Sequence, residues 1–149
     1  MNIDRINFLN QDYSQGFPAY CGFEVEHIDN GIFQARFKVR PEHKQKEGFV
    51  HAGVIATLAD HTAGYSAYTI IPENKRILTI EFKINYFKPA IGSEILCKSK
   101  VLSEGKRIII TESEIYDLIS GKPRLISKAI ATMMAVPLDE INRSSLQKK

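Results

Sequence analysis

One segment constrains the fold of this chain more than any other. Alanines stand at positions 52, 56, 59, 63 and 67, every three or four residues, and Gly53 lies at the start of the run. That spacing predicts a helix over residues 52–69 with one narrow face, able to lie very close to whatever wraps it. Pro72 and Asn74 end it. Nearly everything else of comparable length reads as strand. Residues 21–28 alternate apolar and polar, Asp29-Asn30-Gly31 is a hairpin turn that tolerates positive φ, and residues 32–39 return until Pro41. Residues 41–50 form a polar loop with little propensity for order. Beyond the helix, 77–87, 93–103, 106–117 and 124–136 read as strands, joined by turns at 88–92, Glu104-Gly105 and 120–123. In the first of these, strict alternation puts Leu78, Ile80, Phe82, Ile84 and Tyr86 on one face. Thr79, Glu81, Lys83 and Asn85 fall on the other.

One helix cannot cover both faces of an antiparallel sheet of five to six strands. The efficient solution is an α+β domain: a curved sheet wrapped around the helix, with the leftover surface buried by a second copy. Residues 21–137 make this domain. Residues 1–20 are an arm or short helix carrying Ile3, Ile6, Phe8 and Leu9, and residues 138–149 are a polar tail, frayed from Asn142 onward.

Composition excludes several functions. A net charge of +3 without a basic stripe between exposed aromatics does not suggest nucleic acid. No segment approaches the length of a membrane span, and the start lacks the pattern of a signal peptide. Cys21 and Cys97 belong to no C-x-x-C pair and read as buried free thiols of a cytoplasmic protein. The four histidines lack ligand spacing, so no metal is expected, and no motif calls for a cofactor.

The chemistry concentrates on the helix. Its start offers free backbone N–H groups and the positive end of the dipole, suited to polarising an oxygen. Asp60 follows Gly53 by seven residues, on the same face to within about 20° and roughly 10 Å further along the axis. Its i±4 neighbours, Ala56 and Gly64, offer it no partner. A carbonyl held about 3 Å from the Gly53 N–H has its carbon out of reach of the same chain's Asp60. If both act on one bond, they come from different subunits, as in a two-fold dimer with antiparallel helices. His61 points about 100° away from Asp60 and cannot share its role.

The run Gly48-x-x-His51-Ala52-Gly53 with Asp60, the segment 80–90 and the later Gly105-Lys106-Arg107 resemble the hotdog-fold acyl-CoA thioesterases, nearest to the phenylacetate-pathway branch. The resemblance spans residues 20–136 and implies a hotdog fold acting as a dimer or a dimer of dimers on acyl-CoA. It implies that Asp60 is the general base or nucleophile and that the Gly53 N–H polarises the thioester carbonyl. Thr79 would help orient the attacking water, and His51 would shape the loop. Two departures stand out. Ala52 replaces the middle glycine of the motif, and Gln45 stands where the family often has Asn. Lys88, Lys106 and Arg107, beside turns, are candidate contacts for the phosphates of CoA. Tyr65, Tyr68, Ile70 and Ile71 line either the core or an acyl channel.

Two other functions fit the same fold. A hydratase or dehydratase would need its acid about one turn into the helix, where Ala56 and Thr57 stand. A non-catalytic acyl-CoA-binding module would tolerate the change at Gln45.

Overall fold

The small-residue segment is the central helix, α3, spanning Ala52–Tyr68. It belongs to a computed structural model that describes the backbone of residues 1–146 and the side chains of residues 1–142. Two short helices precede it, α1 (Ile3–Tyr13) and α2 (Gly16–Tyr20), followed by the hairpin β1 (Glu24–Asp29) and β2 (Ile32–Lys38). After it come β3 (Lys75–Tyr86), β4 (Glu94–Glu104), β5 (Ile108–Ile119) and β6 (Lys122–Pro137). All six strands join one antiparallel sheet in the order β1-β2-β4-β5-β6-β3, and α3 packs on the concave side. No helix among the described residues is long and apolar enough to cross a membrane.

The alanines explain how closely α3 sits. Ala59, Ala63 and Ala67 are almost fully buried, and the Ser113 hydroxyl reaches the Ala59 carbonyl at 2.9 Å. A helix bearing large side chains on this face could not let a strand serine reach its backbone. Phe33, Phe37, Ile95, Ile115 and Leu58 fill the rest of the main core. Both cysteines are buried and unpaired, and burial pushes the Cys97 thiol up to about 11, so it is not a nucleophile near neutrality.

Three features differ from the sequence expectations. The segment 41–50 is ordered rather than loose. A 3-10 turn at Pro41–His43 buries His43, whose ring nitrogens meet the Arg40 N–H at 3.0 Å and the Cys21 carbonyl at 2.9 Å. Burial, reinforced by the charge of Arg40, holds its pKa below the usual histidine value. The second difference lies at the chain end. Leu138–Leu146 is a helix, α4, where an irregular tail was expected, while residues 147–149 lie outside those described.

The third difference concerns β3. Strict alternation fails because the register against β6 slips between Thr79 and Glu81, leaving Ile80 as a bulge. Ile77 and Thr79 therefore share the helix side with Phe82 and Ile84. Leu78 and Ile80 stay 47% and 51% exposed on an edge strand. One extra residue thus turns Thr79 inward, which no period-two pattern could show.

Candidate active site

The start of α3 is built mostly from backbone. His51 is its N-cap, with φ −62° and ψ 135°, and its Nδ1 accepts the Gly53 N–H at 2.9 Å. Glycine at 53 suits this cap, since a Cβ there would lie 3.0 Å from that same nitrogen. The Gly53 N–H expected to polarise a carbonyl is therefore already engaged. The N–H left without an intrahelical acceptor is that of Ala52, the first helical residue. The Ala52 carbonyl accepts from the Tyr86 hydroxyl at 3.1 Å. The peptide joining Ala52 to Gly53 is held at both ends, by Tyr86 at its C=O and His51 at its N–H. That clamp fixes the orientation of the helix entrance.

A cavity opens at this entrance, lined by Gln45, Val50, Ala52, Tyr86, Lys88 and Ala90 among others. Gln45 belongs to a tight turn in which its N–H donates to the Phe49 carbonyl at 2.8 Å and its own carbonyl accepts from Gly48 at 2.9 Å. Its side chain thereby faces the same space as Ala52. The opposite wall, the turn at 88–92, hangs on Asp117. This fully buried carboxylate accepts from the N–H groups of Ile91 and Gly92 at 3.0 and 3.1 Å and from Arg124 at 2.7 Å. Burial alone would raise its pKa. The Arg124 guanidinium and the two backbone donors outweigh that and hold the carboxyl below its usual range.

Two turns along α3, the second group is made of side chains. The Thr79 hydroxyl donates to Asp60 Oδ1 at 2.8 Å. Both line a second cavity with Asp12, Gly64, Tyr65, Tyr68, Arg76 and Ile77. With its proton on Asp60, Thr79 Oγ1 is left to accept, and Asp60 Oδ2 is free of that bond. His61 also borders this cavity, with its ring held against Tyr13. Its ring lies 4.4 Å from the Tyr13 ring, with Nε2 3.1 Å from the Tyr13 carbonyl, and burial lowers its pKa.

Not all candidates converge. Lys88 borders the entrance cavity beside Ile126, whereas the Arg107 carbonyl accepts from Ala135 at the other end of β6. Those anchors lie nine positions apart along β6, roughly 30 Å. Arg107 instead pairs with Glu140 at 3.3 Å. Within one chain, Lys88 and the Lys106-Arg107 turn cannot grip the same phosphates. Tyr68 is part of the core and also borders the Asp60 cavity, as Tyr65 does. Two site residues escaped the sequence reading. Tyr86 looked like any strand aromatic, and Asp12 on α1 carried no motif, yet it accepts from the Tyr65 hydroxyl at 2.7 Å and walls the Asp60 cavity.

Comparison with known proteins bears on the family and the fold. Residues 47–123, just over half of the chain, match the family profile of the thioesterase superfamily. The chain belongs to that superfamily. Its fold matches the crystal structure of a thioesterase family protein from Silicibacter pomeroyi with a TM-score of 0.86 and 26% identity, covering 89% of this chain and 98% of that one. The α+β hotdog architecture follows. The chain is also similar to the medium/long-chain acyl-CoA thioesterase YigI of Escherichia coli K12, 25% identical over 137 residues, 82% of this chain and 86% of that protein. Mouse acyl-coenzyme A thioesterase 13 is 29% identical over 86 residues, covering 57% and 61% of the two chains.

Proposed function

We propose that this protein is a cytoplasmic acyl-CoA thioesterase whose site forms between two copies of the chain. The observation that carries this is the division of one catalytic set between two cavities. Ala52, the first residue of the helix, lines one, and a carboxylate bonded to a threonine lines the other. The edge strand β3 offers the means of joining them. Antiparallel pairing of two β3 strands about Ile80 would bury Leu78 and Ile80. It would also carry the entrance of the partner's helix toward Asp60. The same pairing moves the partner's Lys106-Arg107 turn toward Lys88, where together they can meet the phosphates of CoA. The similarity to acyl-CoA thioesterases supports the substrate class.

The chemistry needs no cofactor. The thioester oxygen accepts from the Ala52 N–H, with Gln45 beside it, which polarises the carbonyl carbon. Ala52 takes the role that the resemblance gave to Gly53, whose N–H is spent on His51. A water donates one hydrogen bond to Thr79 Oγ1 and gives its other proton to Asp60 Oδ2 as its oxygen bonds to the carbonyl carbon. Collapse of the tetrahedral intermediate breaks the C–S bond. The CoA sulfur leaves as thiolate and takes up that proton, releasing the free acid. Release of free thiol from short, medium, long and aromatic acyl-CoAs tests this. Turnover of at least one class is expected, with Asp60→Asn lowering the rate roughly a hundredfold, about 2.7 kcal/mol of barrier. A folded protein that releases no thiol from any of them is no thioesterase of this kind.

A further inference from the structure

The segment leading into α3 is fastened by one imidazole. His43 is 4% exposed, and its two ring nitrogens face backbone groups of opposite kind. Nδ1 lies 3.0 Å from the Arg40 N–H, which can only donate. Nε2 lies 2.9 Å from the Cys21 carbonyl, which can only accept. Both bonds form together in one state alone, a neutral ring with its proton on Nε2. An imidazolium would turn a second N–H against that of Arg40, leaving two buried donors face to face.

The surrounding charges favour the same state. The Arg40 guanidinium donates to the Tyr20 carbonyl at 2.6 Å and stands 3.3 Å from Nε2, as a neighbouring cation. Burial first, and Arg40 second, hold the His43 pKa below the usual histidine value. The bond to the Cys21 carbonyl and the charge of Glu42 pull the other way without offsetting them. The remaining neighbours are Phe17 and Tyr20 of α2, the Cys21 thiol, which burial pushes up, and Val54 of α3. From β2, the Phe37 ring meets the imidazole edge-on at 4.7 Å.

What this ring holds is the approach to the helix start. The His43 carbonyl accepts the His51 N–H at 2.8 Å, and His51 Nδ1 accepts the Gly53 N–H at 2.9 Å. Three bonds in series thus run from Cys21, ahead of β1, to the first turn of α3. A backbone donor positions an oxygen only as well as the backbone itself is placed.

We propose that His43 is a positioning residue for the α3 entrance, whose neutral ring anchors the His51 cap and so sets where the Ala52 N–H points. The proposal rests on the acyl-CoA thioesterase function and adds to it a residue that touches neither substrate nor reacting atoms. Two variants test it beside wild type. His43→Ala removes both ring bonds. His43→Gln can offer an oxygen to the Arg40 N–H and an N–H to the Cys21 carbonyl, and it does not titrate. At about pH 7.5, His43→Ala is expected to lower kcat about tenfold, part of the loss that removing one oxyanion donor causes, with KM within about twofold. His43→Gln is expected to restore most of that kcat. A folded His43→Ala with wild-type kcat, or a folded His43→Gln no better than it, overturns the proposal.

The tether has a second readout that needs no turnover. Because the folded state keeps the ring neutral, its contribution to stability is present in full above the usual histidine value. That contribution is lost as pH falls from there through the folded pKa. Between about pH 7.5 and about pH 5.5, wild type is expected to lose about 3 °C more in Tm than His43→Gln, which keeps the other three histidines. Equal losses overturn the proposal. Long-range 1H–15N spectra of wild type examine the ring without any substitution. A neutral ring protonated on Nε2 is expected at about pH 7, and a proton on Nδ1 there overturns the proposal. If no acyl-CoA releases thiol, the thioesterase function fails, and the melting curves and spectra still decide whether the His43 tether exists.

Discussion

The two ends of the site are built from different materials. At the entrance of α3 the proposed working group is a backbone N–H, and side chains hold the backbone around it: the His51 cap, the Tyr86 bond to the Ala52 carbonyl and the turn hung on Asp117. Two turns further on, the proposed working groups are side chains, Asp60 and Thr79, brought together across helix and strand by a bulge. A backbone site survives most side-chain changes, provided the local fold holds. A side-chain site fails with a single substitution that leaves the fold intact.

That contrast can be broken from the backbone side first. Proline at 52 removes the Ala52 N–H while keeping a helical first residue, and the extended ψ of His51 already suits a following proline. Ala52→Pro is expected to keep the fold and Tm while lowering kcat about a hundredfold, the loss typical of one oxyanion donor. Steady-state rates beside a melting curve check this. Ordinary activity in a folded Ala52→Pro would return the role to another donor.

Asp117 tests the wall of the same half through stability. Its carboxyl titrates below the usual aspartate range in the folded state, so its contribution is present in full above that range. The contribution is lost as pH falls through the folded pKa. Asp117→Asn is expected to cost about 2 kcal/mol at neutral pH, since it removes the charge from a buried ion pair that also holds two N–H groups. The difference from wild type should shrink below about pH 4. Denaturant melts at pH 7 and pH 3 measure it, and a gap that widens in acid has the wrong sign. The smallest effect belongs to Thr79. Thr79→Val is expected to lower kcat about tenfold, a loss of about 1.4 kcal/mol, and Thr79→Ser to restore most of it. Failure of serine to rescue would assign Thr79 a packing role only.

The same contrast explains what the sequence could disclose. The central helix was legible from its alanine spacing, and the strands from their alternation and turns, because burial imposes a period on every residue of an element. Asp60 stood out because nothing near it on the helix could pair with it. Thr79 was legible only through family resemblance. Its alternation pointed the other way, since a bulge inserts one residue and shifts every later side chain. The capping bond between His51 and the Gly53 N–H leaves no trace in residue spacing. The order in 41–50 was hidden for a similar reason. His43 looks like a solvated loop residue until its ring is placed between Arg40 and the Cys21 carbonyl.

The central claim is that one catalytic set is shared between two chains. Asp60→Asn spoils the side-chain half and Ala52→Pro the backbone half, each in a chain that keeps the other half. The two inactive variants would be unfolded together, refolded as a mixture and assayed for thiol release. Random pairing makes about half of the dimers mixed, each with one intact site of two, so the mixture should recover about a quarter of wild-type activity. Recovery near that level is the predicted result. A mixture as inactive as its components would place both halves in one chain and contradict the shared site.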